Sequence, residues 1–387
     1  MNDKLIVPRW LLICLGVIAA AGLGILVWGL ITNPSQAWAD FLLNNFYFLS
    51  LAMGASFFVA LQYISQSGWS AAFKRVPEAM MAWVPVAALF FLFIGLGAGY
   101  LYHWAHHEAA QEDAIIAAKS GYLNLPFAYV RLVVFFALWI LMTWLLRRAS
   151  QKEDVTGGTR YFEKSEWYSK IHIFILGFSF SLFSVDWLMS IDVHWYSTLF
   201  ALKSFVAAFY HGSATLILII LVLNAFGYFP FLNSFHVHDF TRYVFMLSII
   251  YGYFWFSQFT LIWYGNIPEE TIYYHVRWQP EWRVLFWLDI IINWAIPFTI
   301  LLPPALSRSR KLLAAVTMLL VAGQYIDLYI SIMPGSKGSA VPGLLEIASW
   351  LGFAALFLLV VLLTLRRTSL IPKNHPYLEE SIEHQFV

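Results

Sequence analysis

Charged side chains make up only 12% of the 387 residues, and cysteine occurs once, as Cys14. A single cysteine excludes an intramolecular disulfide, a cysteine-ligated zinc site and an iron–sulfur cluster held by this chain alone. The formal net charge of +1 gives no electrostatic reason to expect nucleic acid as a partner. No phosphate-binding or nucleotide-binding pattern occurs, and the basic segment 147–160 reads as a solvated topology determinant. What is abundant is apolar: 60% of the residues are hydrophobic, and charge-free runs repeatedly reach the roughly 20 residues that a bilayer crossing needs. The expected class is an all-α integral membrane protein.

Ten spans are expected, at residues 10–31, 40–64, 79–103, 127–146, 171–191, 198–223, 243–264, 284–302, 312–332 and 342–365. The first follows Lys4 and Arg9 but is too long for a secretion signal and lacks a cleavage site before Asn33-Pro34, so it is retained as a span. With the N-terminus in the cytoplasm, that side receives seventeen Lys and Arg, including Lys74, Arg75, Arg147, Arg148 and Lys152. The opposite side receives only Lys119, Arg277, Arg283 and Lys337. The positive-inside rule then places both termini in the cytoplasm.

The few intramembrane charges are unevenly placed. Asp186, Asp289, Asp327 and Glu346 each fall four or five residues from the outer end of a span, roughly 6 to 8 Å deep at helical rise. Arg131 and Lys203 lie at similar depth. A carboxylate in hydrocarbon costs roughly 2.5 to 3.5 kcal/mol, so six ionisable groups in one leaflet indicate a polar cavity or relay reached from the outer side. The inner half is expected to be drier, with His172 near its surface and His211 near mid-membrane.

Asp186 and Asp327 each follow a lysine by sixteen residues, Lys170 and Lys311, and each is followed four residues later by Ser-Ile. The likeness extends to Gly54 and Gly212, Trp104 and Trp263, and Pro126 and Pro280, at offsets of 158, 159 and 154, against 141 for the aspartates. Equivalent spans run the same way, so a parallel repeat is expected: two four-helix bundles with a flanking span at each end. The corresponding units are 1–37 (first flanking helix), 38–197 (first bundle), 198–335 (second bundle) and 336–387 (last helix and cytoplasmic tail).

Asp186 and Asp327 admit two compatible readings, as buried pairs with Arg131 or Lys203 that fix helix packing and as proton-transfer groups. Asp192 and His194, at the outer end of the fifth span, can pass protons to the surface or act as interfacial caps. His103, His106 and His107 lie at the outer interface beside Trp104, where a structural role is expected. His211 has no histidine at its own depth on a facing span, so no haem and no metal are expected in this chain. The seventh span sets Tyr251, Trp255, Phe259 and Trp263 around Gln258, an aromatic wall of the kind that can receive a quinone ring.

Four segments carry a family resemblance: Gly68-Trp-Ser-Ala-Ala-Phe-Lys-Arg-Val-Pro-Glu78, Lys119-Ser-Gly-Tyr-Leu-Asn-Leu-Pro-Phe127, Asp186-Trp-Leu-Met-Ser-Ile-Asp-Val-His-Trp-Tyr-Ser-Thr198, and Phe256-Ser-Gln-Phe-Thr-Leu-Ile-Trp-Tyr-Gly-Asn-Ile-Pro-Glu-Glu270. In them the chain resembles the polysulfide-reductase/NrfD-like superfamily of membrane subunits, and within it the ActF subunits of bacterial alternative complex III. Val193 stands where that pattern leads one to expect proline. The resemblance implies a respiratory menaquinol:electron-acceptor oxidoreductase of the bacterial inner membrane, with cytochrome c as the type of acceptor. Its implied partners are a paralogous ten-span subunit, periplasmic iron–sulfur and multihaem cytochrome c subunits, and a terminal oxidase. Haem c and iron–sulfur clusters would then reside in the partners, while this chain supplies a proton pathway and scaffold, with menaquinone as its only possible cofactor. The candidate proton-transfer residues are Asp186, Asp289, Asp327, His211, Lys203, Arg131, Glu346, Asp192 and His194. A stand-alone proton-coupled transporter and a purely structural anchor are the rival readings.

Overall fold

Inside a bilayer, backbone N–H and C=O groups have only each other as partners, which leaves long apolar runs the α-helix. The computed structural model of the protein describes residues 4–106, 108–336 and 340–385, and it contains ten helices long and apolar enough to cross a membrane. They are α1 Arg9–Thr32, α2 Pro34–Ile64, α3 Ala71–Leu101, α4 Leu125–Thr156, α5 Arg160–Ile191, α6 Thr198–Ala225, α7 Ser234–Gly265, α8 Pro280–Leu301, α9 Arg310–Gly335 and α10 Leu344–Leu365. Local chemistry sets several of their ends. Pro34 occupies the first turn of α2, where its missing N–H costs nothing, and the Asn124 and Asn233 side chains cap α4 and α7. His107 and Lys337, both placed on the outer side by the sequence, lie outside the described residues.

The protein is therefore a multi-pass membrane protein. Lys4 forms an isolated antiparallel bridge with Ser369, so the two ends of the described chain meet at one face, here the terminal face, with the distal face opposite. Helices α2 and α6 are the most enclosed, and they pack against each other. Their contact is between glycines: a Cβ on Gly54 would lie 2.0 Å from the Ala208 carbonyl oxygen, and one on Gly212 would lie 2.8 Å from the Gly54 Cα. Around this axis α2 packs on α3 and α5, with α4 on α5, while α6 packs on α7 and α9, with α8 between them. Helices α1 and α10 pair at the periphery, where Gly22 and Gly352 meet closely.

Segment 147–160 is mostly exposed, as expected, but it is helical: α4 continues to Thr156 and α5 begins at Arg160, with Gly157 and Gly158 at φ +66° and +70° making the turn. Its acids are drawn inward by basic groups expected to be exposed. Lys74 pairs with Glu153, and Arg75 pairs with Asp154 and donates to Glu78 Oε2 at 2.6 Å and to Ser150 Oγ at 3.0 Å. Lys74, Arg75, Glu78, Ser150 and Glu153 are all buried. The physical reason is charge pairing, since a cation on the first turn of α3 is desolvated only beside an anion.

The tail after α10 is a strap across this face. The Lys373 N–H donates to Asp154 Oδ1 at 3.0 Å, His375 packs between the rings of Tyr63 and Phe162, and Ser381 Oγ donates to the Trp69 carbonyl at 2.8 Å. Further on, His236 Nε2 donates to the Ser381 carbonyl at 2.7 Å, and His384 Nε2 lies 2.6 Å from Asp239 Oδ2. The strap thus ties the α2–α3 and α4–α5 turns to the start of α7. Burial, reinforced by the nearby Lys74 and Arg75 cations, pushes the His375 pKa down to about 2.

Two outcomes follow. Gly54→Ala is expected to destabilise the detergent-solubilised protein by about 1–3 kcal/mol, because the intruding methyl meets backbone. Gly24→Ala, with nothing within 4 Å, serves as the neutral control in the same thermal-unfolding measurement. An undocked His375 titrates near 6.5, whereas the docked ring stays neutral down to about 2. Docking is therefore fully supported above that upper value and weakens as pH falls below it. The hydrogen-exchange protection factors of residues 373–385, corrected for the intrinsic pH dependence of amide exchange, are expected to fall between pH 7 and 5, and His375→Phe to flatten that response.

Candidate functional site

Helices α6 to α9 enclose a continuous chain of buried polar side chains. Lys203 on α6 is ion-paired with Asp327 on α9. Tyr251 on α7 places its hydroxyl 3.2 Å from Asp327 Oδ1 and 3.1 Å from Asp289 Oδ1, bridging the two carboxylates. Asp289 on α8 also accepts from Trp255 Nε1 at 2.8 Å and from Asn293 Nδ2 at 2.8 Å. Asn293 Oδ1 then lies 2.8 Å from His211 Nε2, back on α6. His211 stands eight residues beyond Lys203, about 12 Å along the helix, so the chain descends from near the distal face towards the middle of the span.

The backbone of α8 is shaped for this. Residues Ile291–Ala295 form a π-helical turn, a feature that often marks functional sites. Pro297 has no N–H to give the Asn293 carbonyl four residues before it, and the Tyr210 hydroxyl fills that place at 3.1 Å. Gly323 on α9 makes room for the Asn293 side chain, whose Oδ1 would lie 2.0 Å from a Cβ there.

The partners of His211 are all acceptors. Asn293 Nδ2 faces the Gly323 carbonyl at 3.1 Å as well as Asp289, and a carbonyl only accepts, so the amide orientation is decided and Oδ1 is the atom turned to His211. His211 Nδ1 faces the Ala207 carbonyl at 2.7 Å. Both ring nitrogens thus face acceptors, an arrangement that a doubly protonated ring satisfies on both sides. With His211 and Lys203 as cations against the Asp289 and Asp327 carboxylates the cluster would be neutral, the condition under which charges tolerate burial. An amide holds no titratable proton at neutral pH, so proton passage between Asp289 and His211 requires Asn293 to rotate or a water to bridge.

The other candidates lie elsewhere. Arg131 on α4 grips Asp186 on α5 with two hydrogen bonds of 2.7 and 3.1 Å, and its guanidinium stacks 3.9 Å from the centre of the Tyr122 ring. Burial and the Asp186 carboxylate push the Tyr122 phenol up to about 12, so it remains a donor. No hydrogen bond joins this pair to the α6–α9 chain among the described residues. Asp192 accepts from Arg277 at 3.3 Å, and His194 Nε2 meets Asp113 at 2.5 Å in a half-exposed contact. Glu346 accepts from the Gly343 N–H at 2.8 Å and from Gln36 at 2.5 Å near the start of α10. His103 and His106 stand at the distal surface with ring centres 6.1 Å apart.

The expected aromatic wall of α7 divides between two environments. Tyr251, Trp255 and Gln258 are buried towards the site, while Tyr253, Phe256, Trp263 and Tyr264 are exposed on the perimeter. The cleft where Trp255, Gln258, Tyr273 and Arg277 meet Asp289 and Asp327 has a cavity volume of about 20 Å³, room for a water and too small for a quinone ring. Wider grooves of about 360 and 300 Å³ flank Val193 and Trp195 at the distal surface.

Three contributors were missed in the sequence. Tyr251 bridges two carboxylates as well as belonging to the aromatic wall, and Asn293 carries a usable signal of its own, an amide four residues before a proline inside an apolar span. Asp40, at the edge of the second expected span, is fully buried and accepts from Ser349 and from Asn44 at 3.0 Å. Towards the terminal face the Lys74–Glu153 and Arg75–Asp154 pairs and Glu78 form a further charged cluster, and the expected His172 is fully buried.

Nitrogen NMR of isotopically labelled His211 at neutral pH is expected to show two protonated ring nitrogens, and Asn293→Leu to leave one; a singly protonated ring in the unaltered protein would contradict the assignment. Compared with protein-family models and with curated proteins, the chain matches none.

Proposed function

We infer that the protein is a cofactor-free membrane subunit of a respiratory quinol oxidoreductase, and that its second bundle exchanges protons between the distal face and the middle of the membrane. The observation that carries the proton reading is the buried chain Lys203–Asp327–Tyr251–Asp289–Asn293–His211. It links groups that hold and release protons in a water-poor interior. A scaffold alone has no use for a neutral cluster of four charges when apolar packing of similar volume serves stability as well or better. The assignment to an oxidoreductase complex rests on the four sequence segments that resemble alternative complex III subunits. In that setting both termini are cytoplasmic, the membrane is the bacterial inner membrane, and the distal face meets periplasmic iron–sulfur and multihaem cytochrome c subunits. A paralogous ten-span subunit supplies the menaquinol site, in keeping with the narrow cleft beside Asp289.

A parallel duplication, α2–α5 and α6–α9, also belongs to this reading. It is supported by the meeting of Gly54 with Gly212, since like positions face one another across a two-fold relation. The matching aspartates have diverged in use: Asp186 takes its cation from α4 and Asp327 from α6.

Gentle detergent purification is expected to bring down haem-bearing and iron–sulfur proteins with this chain; isolation as a free monomer with transport activity would favour a transporter instead. In the intact complex, Asp289→Asn is expected to lower turnover and coupled proton movement several-fold with assembly preserved. Unchanged proton movement in a fully assembled variant would remove the relay.

A further inference from the structure

The basic residues of the terminal face divide into those that are used and those that are left over. Lys74 and Arg75, buried at the start of α3, face three carboxylates, Glu78, Glu153 and Asp154. Arg147, half-buried on α4, supplies the third cation and lies within Coulombic reach of Glu78. It cannot bond there, because both Glu78 oxygens are taken, by Arg75 at 2.6 Å and by Ser150 at 2.5 Å. With Arg147 the set is neutral. Arg148 on α4, and Arg366 and Arg367 at the end of α10, are then in surplus, all exposed and without an ion pair among the described residues.

Basic residues flanking a span commonly serve topology, and for that they need only lie on one side. Arg147 and Arg367 do more. Helix α10 packs on the first turns of α3, and α4 holds the same turns through Ser150 and Asp154, so the two guanidiniums are carried within Coulombic reach of each other, where they repel. Like charges brought together by the fold call for an anion between them. Arg148 marks the depth: it lies 4.8 Å from the centre of the exposed Trp144 ring, a cation beside an indole as found at the head-group level of a bilayer. Towards the membrane centre the outer sides of α3 and α4 are apolar and exposed, at Leu89 and Leu92 and at Val133 and Leu141. The anion must therefore sit at the interface and carry apolar chains that cover what lies below.

We propose that this corner of the terminal face, formed by Arg147, Arg366 and Arg367 with Arg148 at its outer edge, is the head-group site of an anionic phospholipid whose acyl chains lie along α3 and α4. Guanidinium forks pair with phosphate oxygens two at a time, and basic pockets between spans take doubly charged head groups in the same way. A surplus of three cations suits the paired phosphates of a diphosphatidylglycerol better than the single phosphate of a phosphatidylglycerol, whereas phosphatidylcholine brings its own cation and relieves nothing. The bound lipid ties the end of α10, and the strap that follows it, to α4. The site requires only that the chain span a membrane, and is independent of the quinol and proton readings.

The protein, purified with its natural partners and stripped of lipid by detergent, is expected to gain thermal stability on addition of tetraoleoyl diphosphatidylglycerol. Dioleoyl phosphatidylglycerol is expected to act only at several-fold higher concentration, and dioleoyl phosphatidylcholine and inorganic phosphate not at all. Arg367→Gln is expected to raise the half-saturating concentration of the diphosphatidyl lipid about five-fold, and Arg366→Gln with Arg367→Gln about twenty-five-fold, from about 1 kcal/mol per basic residue. Both side chains are exposed, so folding is spared, and Arg283→Gln, exposed at the distal face, is expected to change nothing. An unchanged response in the double variant overturns the site. A response to phosphatidylcholine equal to that of the anionic lipids overturns the charge argument, and one to inorganic phosphate equal to that of the lipid overturns the lipid as occupant.

Discussion

Desolvating charge in an apolar interior is the constraint on which the rest of this structure depends. Three clusters in the helices set cation against anion: Arg131 with Asp186, Lys203 with Asp327 beside Asp289, and Lys74 and Arg75 with Glu153, Glu78 and Asp154. Each set draws on more than one helix, so neutralising charge also decides which helices are neighbours. Without its partners each group would oppose folding by several kcal/mol.

In α6–α9 a polar chain runs from the distal face to His211, while in α2–α5 rings of Phe and Trp separate the distal Arg131–Asp186 pair from His172 towards the terminal face. The close α2–α6 glycine contact keeps the two polar regions near each other without merging them.

Much of this was legible in the residues. Ten apolar runs, the clustering of Asp186, Asp289, Asp327, Arg131 and Lys203 in one leaflet, and the mid-membrane His211 are all visible without coordinates, because hydropathy and the 1.5 Å helical rise convert position into depth. Depth is where that legibility ends. Asp192, His194 and Glu346 share the distal half with Lys203, Asp327 and Asp289 yet take other partners, because depth carries no information about which side of a helix a residue faces or which helix lies there. In segment 147–160 most side chains are solvated, yet Glu153 and Ser150 are buried, because Lys74 and Arg75 on another helix neutralise Glu153 and Asp154.

The sequence by itself determined that the chain is a many-span helical membrane protein and which ionisable groups lie deep in it, since composition and run length answer to the bilayer alone. Only the tertiary structure decided who pairs with whom. Asp186 and Asp327, alike in their local sequence, take cations from α4 and from α6, and Tyr251 and Asn293 become bridges only because α7 and α8 present them to the same point. The physical reason is that lateral packing is set by side-chain shape at contacts such as Gly54 with Gly212 and by the π-helical turn in α8. Neither follows from the period of an apolar run.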